Sequence, residues 1–416
     1  MLEVIPSGSQ TLSKLPSRFV DGVYPILLRS GDGAYVNGYN NAQYIDYICS
    51  LGPIILGHRH PHVNSRVIQA IKDGCVLLSL PTEIELSAAR ALAQDYPCAE
   101  MSRFFKTGSD ALSAAVKVAR AHTGKMKVAV CGYHGWHDWY TIANDKKAGI
   151  PPVIGQFVQK FTYNDPQSLE DILKVGDVGA IVMEPTVYES PKDKFLENVR
   201  ALADKYGAVL VFDEVVTGFR FGLAGAAGYF NVKPDLACFS KAMGNGFPIA
   251  ALSGKKHIMK VYERDDFFIS GTYGGDMIGL TAYMATRTSL MEGDGCMLGK
   301  IWRIGETLRD VFLEIVGNLD MGEDIKCLGY PPRTMFQFPK TAHKALFWQE
   351  CIRGQVLFGY ANFINTCHNE GILQHTANAM ELALRKVKQN WDNPEAALEG
   401  KMPTEAFNRV GEIKRA

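Results

Sequence analysis

Short apolar runs and longer stretches of helical spacing take turns through the middle of the chain. Three runs stand out as strands: Lys127-Val-Ala-Val-Cys131, Val178-Gly-Ala-Ile-Val-Met183 and Ala208-Val-Leu-Val-Phe212. Each is short, and each runs into polar, turn-forming residues, the place where a parallel sheet puts its ligands. Between them, Asp110 to Ala121 is apolar on nearly all sides, and Phe195 to Tyr206 keeps helical spacing until Gly207. Strands alternating with helices predict crossover units and an α/β fold around a mainly parallel sheet.

Outside this block the pattern changes. Residues 1–60 are irregular apart from a hairpin expected in Ala34 to Asp46, with Asn37-Gly38 as its tight turn. A long helical pattern returns at Ile301 to Val316, another follows at Ala377 to Gln389, and the charged tail after Asn390 reads as a surface extension. A chain of 416 residues exceeds what one hydrophobic core fills. The expected division is a large domain of residues 61–300 and a small α+β domain from both chain ends, 1–60 and 301–416.

Composition narrows the function classes. The chain is 47% hydrophobic and 21% charged, and 44 basic residues balance 44 acidic ones, so no net field points to nucleic acid or an anionic membrane. No basic start precedes an apolar core, and no apolar stretch approaches the roughly 18 residues of a membrane span, so a cytoplasmic, soluble protein is expected. The nine cysteines are scattered, with no CxxC or Cys/His ligand spacing. Buried thiols and no metal are expected.

The chemistry gathers at strand ends. Asp213-Glu214 closes the most apolar strand, and 28 residues later Lys241 follows the run Leu236-Ala-Cys-Phe239. A carboxylate there can keep the pyridine nitrogen of pyridoxal phosphate protonated, and a lysine amine can condense with its aldehyde. Singly, Asp213 could cap a turn and Lys241 could be a surface lysine. Thr107-Gly108-Ser109 offers hydroxyls and N–H groups for a phosphate at the positive end of the Asp110 helix, or a plain Ser N-cap. Gly244-Asn-Gly246 lacks the GxGxxG spacing of a dinucleotide site.

Taken together, Asp213-Glu-Val-Val-Thr-Gly-Phe-Arg220 and Ser240-Lys-Ala-Met-Gly-Asn-Gly-Phe-Pro-Ile249 resemble the motifs of class III, fold-type I, pyridoxal-phosphate aminotransferases. The resemblance extends from Gly31-Asp-Gly-Ala-Tyr-Val36 through Leu51 to His58 and His60-Pro61, and is nearest to glutamate-1-semialdehyde aminomutase-like members. It implies that Lys241 and Asp213 are catalytic, and that Gly108 and Ser109 bind the cofactor phosphate in a Ser-Gly-Thr clamp whose hydroxyl residues have exchanged places here. It further implies that Tyr133, in Cys131-Gly-Tyr-His-Gly-Trp-His-Asp138, stacks on one ring face and Val215 packs on the other. Thr272, after Phe267-Phe-Ile-Ser270, would reach the phosphate in the neighbouring subunit of a homodimer.

Substrate residues depart from the family. The aminomutases carry a serine and an arginine three apart near the N-terminus for the substrate carboxylate; counting back from Pro25 puts Ser13 at the serine and Pro16 at the arginine, with Arg18 displaced by two. Glu184-Pro185 matches a family Glu-Pro, but Glu189 stands where the aminomutases have asparagine, as in ornithine and 4-aminobutyrate transaminases. Glu189 could meet a substrate hydroxyl or amine, or sit in solvent. The runs Gln10 to Gly22 and Leu398 to Lys401 resemble a branch found with surface-polysaccharide genes. The expected activity is amino transfer between a small-molecule donor and a keto or aldehyde acceptor. An intramolecular aminomutase and a non-catalytic binding protein of the same fold are the alternatives.

Overall fold

The computed structural model describes residues 3–74, 76–293 and 296–404, which form two compact units. Among the described residues, one draws on 3–61 and 289–404, the other on 62–288.

In the first unit, β1 (Leu28–Asp32), β2 (Tyr35–Gly38) and β3 (Gln43–Asp46) form an antiparallel ladder. The hairpin lies where its alternation places it, but Asn37-Gly38 is not the turn. Asn37 still pairs with Gln43 in the ladder, and the chain reverses over Tyr39 to Ala42. Asn41 takes the left-handed conformation at φ 62°, and Asn40 Oδ1 accepts from Ala42 N at 3.2 Å. Both jobs suit asparagine's short polar side chain.

The second unit holds β4 (Met101–Phe105), β5 (Lys127–Cys131), β6 (Val158–Lys160), β7 (Val178–Met183), β8 (Val209–Asp213), β9 (Leu236–Phe239) and β10 (Ala250–Gly254). They form one sheet in the order β4-β10-β9-β8-β7-β5-β6, parallel except that β10 runs against both neighbours. Every other residue of the central strands, such as Val128 and Val130, Ala180 and Val182, or Val209 and Val211, is buried in one core with the helix α1 (Gly108–Thr123). That helix contributes Ala111, Ala114, Ala115 and Ala119 to the core, small side chains that let its backbone lie close to the sheet. Each buried Val or Leu there adds about 1.5–3 kcal/mol of burial free energy.

The chain then returns to the first unit with the helix α2 (Cys296–Asn318), β11 (Lys326–Tyr330), β12 (Arg333–Gln337), the helix α3 (Thr341–Arg353), β13 (Val356–Leu357), β14 (Asn362–Phe363) and the helix α4 (Glu370–Gln389). β13 adds to β3 in parallel, so the two chain ends share a sheet. The tail after Asn390 is no loose extension as far as Thr404. Trp391 packs on His343, Gln349 bonds both Ala397 O and Glu399 N, and Lys401 N and Thr404 N donate to Asp21 O and Ser17 O. Backbone donors that find fixed partners hold the segment down where its charge pattern alone predicts solvent. Residues 405–416 lie outside the described residues.

Candidate active site

β8 and β9 run parallel with Asp213 opposite Cys238, so the strand ends carry Asp213 and, three residues past Cys238, Lys241 to the same edge. Lys241 opens a single 3-10 turn, Lys241–Gly244, with φ at 46°. A lysine in the left-handed region costs on the order of 1–3 kcal/mol, and such strain persists only where the surroundings fix it. Here Ser240 Oγ donates to Ile249 O at 3.0 Å and Met243 N to Ser240 O at 3.0 Å.

Asp213 is buried, and its oxygens have separate tasks. Oδ1 accepts from Val215 N at 3.0 Å, and Oδ2 lies 2.8 Å from His134 Nδ1. The far ring nitrogen of His134, Nε2, lies 3.1 Å from Cys131 O. A carbonyl can only accept, so Nε2 carries a hydrogen, and the Nδ1–Oδ2 contact needs one further proton between acid and ring. Burial pushes the Asp213 carboxyl above its ordinary range, while the hydrogen bond from His134 pulls it down.

Glu214, the next residue, points the other way, as neighbouring strand positions do. It is wholly buried and accepts from Tyr96 Oη, Ala226 N and Ala227 N, each at 2.9 Å, and from Thr217 Oγ1. Burial raises its pKa against these four donors. The adjacent carboxylates therefore do different work: Asp213 faces His134, and Glu214 anchors the loop that follows.

Thr107, not Ser109, caps α1. Its Oγ1 accepts from Asp110 N at 3.2 Å, and the Asp110 carboxylate accepts from Thr107 N at 3.1 Å, which leaves Gly108 and Ser109 inside the first turn. A Cβ on Gly108 would sit 2.7 Å from Val215 Cγ2, so Gly108 is what lets Val215 approach the helix start. Gly135, at φ 93°, brings the loop after β5 against Ser109, where any Cβ would collide with the serine side chain. Tyr133 in that loop is half-buried, its N donating to Glu184 Oε2 at 3.0 Å and its ring edge-on to Tyr140.

Gly108, Ser109, Tyr133, Glu184, Asp213, Val215 and Lys241 thus belong to one unit and to one set of strand ends and adjoining loops. Thr272 and Glu189 belong to the same unit but are exposed, and the Glu189 carbonyl accepts from Thr186 Oγ1 at 2.7 Å. An exposed carboxylate needs no buried partner. Ser13 and Arg18 lie in the other unit. Arg18 is buried, and its Nη1 donates to Thr404 Oγ1 at 3.0 Å, which ties the two chain ends together. His134 is the site residue that reading the sequence did not single out; its neighbour Tyr133 drew the attention, and nothing in the run marks the histidine as buried.

The donor set fits pyridoxal phosphate: a buried acid for the pyridine nitrogen, a lysine amine at the adjoining strand end, and a helix start with Gly108 and Ser109 in its first turn for a phosphate. The class III aminotransferase family matches residues 19–384. The chain belongs to that family.

Its cofactor is accordingly pyridoxal 5'-phosphate. This family member is 35% identical over 406 residues to the 3-aminobutyryl-CoA aminotransferase of Cloacimonas acidaminovorans, covering 93% of this chain and 95% of the relative. It is 32% identical over 392 residues to the glutamate-1-semialdehyde 2,1-aminomutase of Methanothrix thermoacetophila, covering 87% and 90%. Among solved structures, the FumI protein of Sphingopyxis sp. MTA144 in its PLP-bound form superposes with a TM-score of 0.87 at 27% identity over 96% of both chains. An omega-transaminase from Sphaerobacter thermophilus shares the fold, with a TM-score of 0.83 at 22% identity, covering 92% of this chain and 95% of that one. Among the described residues no helix is long and apolar enough to cross a membrane, and no group of three or more His, Cys, Asp or Glu side chains is placed to hold a metal.

Proposed function

We propose that this chain is an aminotransferase that moves an amino group from a small-molecule donor to a separate keto or aldehyde acceptor. The observation that carries the reading is the 2.8 Å hydrogen bond between Asp213 Oδ2 and His134 Nδ1 at the strand end beside the one leading to Lys241. Bound pyridoxal phosphate supplies an electron sink for the pair left behind when a carbon–hydrogen bond next to the amine breaks. Asp213, backed by His134, holds a proton at the pyridine nitrogen. Lys241 Nζ would act as the base that takes the proton from the donor's carbon and as the acid that gives it back. Gly108 and Ser109 would hold the phosphate, and Tyr133 and Val215 would pack against the ring.

Two features favour transfer over the glutamate-1-semialdehyde rearrangement. Pro16 stands where the aminomutases carry a carboxylate-binding arginine, and Arg18, the nearest substitute, is committed to Thr404. The family resemblance is what supports a homodimer in which Thr272, exposed in its own unit, reaches the neighbouring subunit's phosphate site. The resemblance of Gln10 to Gly22 and Leu398 to Lys401 to a polysaccharide-linked branch makes amino-sugar precursors one acceptor class to include.

The test is a donor screen with no acceptor present, including aminoacyl thioesters of the kind named for the Cloacimonas relative. One equivalent of carbonyl product per active site, rising to turnover when an acceptor is added, supports transfer. Product formed from a single amino aldehyde without any second compound would instead make the chain an aminomutase.

A further inference from the structure

One face of α1 carries a cluster that the proposed amino transfer does not use. Asp110, Ser113 and Lys117 follow one another at spacings of three and four, so their side chains share that face. A serine inside a helix commonly bonds the carbonyl four residues back. Ser113 instead meets two rings from the segment after β5: Trp139 Nε1 donates to its Oγ at 2.9 Å, and His137 Nδ1 lies 2.6 Å from the same oxygen.

The hydrogens set the direction of this relay. An indole N–H can only donate, so Ser113 Oγ accepts from Trp139, and among the described residues His137 Nδ1 is the acceptor within reach of the hydroxyl hydrogen. With Nδ1 accepting, the neutral imidazole carries its hydrogen on Nε2, which faces Asp110 Oδ1 at 3.8 Å. The other oxygen of that carboxylate is already fixed, accepting from Thr107 N at 3.1 Å and from Thr107 Oγ1 at 2.7 Å. His137 is fixed too: its carbonyl accepts from Tyr140 N and Thr141 N at 3.1 and 3.0 Å, and the Trp136 ring stands edge-on to the imidazole with centroids 4.7 Å apart. Hydroxyl, imidazole and carboxylate thus stand in the order, and with the hydrogen polarity, that an activated serine needs.

A ligand can reach them. Asp110, Ser113, Lys117 and His137 line a pocket of about 490 Å³ that also has apolar walls, Phe105 and Phe268 among them, and its size suits a small organic molecule. His137 and Asp110 keep 27% and 40% of their side-chain surface exposed, so the imidazole is accessible without unfolding. Lys117 Nζ gives one hydrogen to Phe268 O at 2.5 Å and keeps two for negative charge developing one turn from Ser113.

We propose that Ser113 is the nucleophile of an acyl-transfer site, which takes small apolar acyl groups from activated esters or thioesters and releases them to water. Ser113 Oγ bonds to the acyl carbon while His137 Nδ1 takes the hydroxyl proton and Asp110 faces the resulting imidazolium. The bond to the leaving oxygen or sulfur then breaks, and that group departs with the proton. Water next attacks the acyl carbon, its proton passes to His137 and on to Ser113 Oγ, and the acid leaves with the serine restored. No step touches Lys241 or Asp213, so the site stands or falls apart from the transferase reading.

Holoenzyme would be treated with diisopropyl fluorophosphate, digested and mapped by mass spectrometry, and assayed in parallel on p-nitrophenyl butyrate. The expected result is a phosphoryl adduct on Ser113 of the parent, formed about 10²–10⁴-fold more slowly in His137→Gln and absent from Ser113→Ala, with ester hydrolysis falling alongside. The parent protein alone decides the first point, so a variant that fails to fold does not shield the proposal: no adduct on Ser113 overturns it. It is equally overturned by an adduct whose rate His137→Gln leaves unchanged, or by ester cleavage that persists in Ser113→Ala as butyrylated lysine.

Discussion

Asp213 and His134 face each other across 2.8 Å, both shielded from water, and hold one proton between them because the Cys131 carbonyl fixes the far side of the imidazole. An acid buried alone would keep its own proton; one backed by a histidine can hold a proton for a partner.

Asp213→Asn removes the acid and keeps the shape. Carbonyl product from the donor half-reaction should fall about 10²–10⁴-fold, the range for a lost proton-holding group. His134→Gln should lose less and shift the pH profile of that step, because an amide can hydrogen-bond Asp213 without carrying its proton. Rapid-quench measurement of both variants across pH checks this.

Lys241→Ala should abolish turnover while leaving the fold intact, since alanine keeps the Cβ and the left-handed backbone that lysine already adopts there and removes only the amine. Small primary amines in the medium should restore part of the proton transfer. Circular dichroism beside single-turnover assays separates lost chemistry from lost structure.

Gly108→Ala brings a Cβ within 2.7 Å of Val215 Cγ2, and its effect should depend on that valine. Cofactor affinity should weaken about tenfold, as for a misfit of about 1–3 kcal/mol. Adding Val215→Ala should recover part of the loss. Titration of pyridoxal phosphate into the single and double variants gives the coupling.

Glu214→Gln should destabilise the protein by about 1–3 kcal/mol, since an amide nitrogen would face a backbone N–H that can only donate. Burial raises the Glu214 pKa, so the folded state binds its proton more tightly than the unfolded chain does. That contribution is full below the ordinary glutamate pKa of about 4.3 and is lost as pH rises through the raised value. The stability gap between parent and variant should therefore narrow with rising pH, as read by urea unfolding.

Gly400→Ala should loosen the two chain ends. Its Cβ would lie 2.5 Å from Asp21 O and 2.7 Å from Val20 Cγ1. A loss of about 1–3 kcal/mol is expected, with faster hydrogen exchange at Lys401 N, which bonds Asp21 O.

By itself the sequence determined the sheet strands β5, β7 and β8 to within a residue, the helix Phe195–Tyr206, the stretch Asp110 to Ala121 of the helix that runs over Gly108–Thr123, and the family with its cofactor. Those features are local: apolar periodicity and contiguous motifs lie within a few residues of one another. What only the tertiary structure decided joins residues far apart in the chain. His134 meets Asp213 from 79 positions away, Tyr96 reaches Glu214 from 118, and Arg18 is claimed by Thr404 across 386. Whether a polar side chain is buried, and which partner then satisfies it, is fixed by the packing of distant segments. Periodicity along the chain carries no record of that.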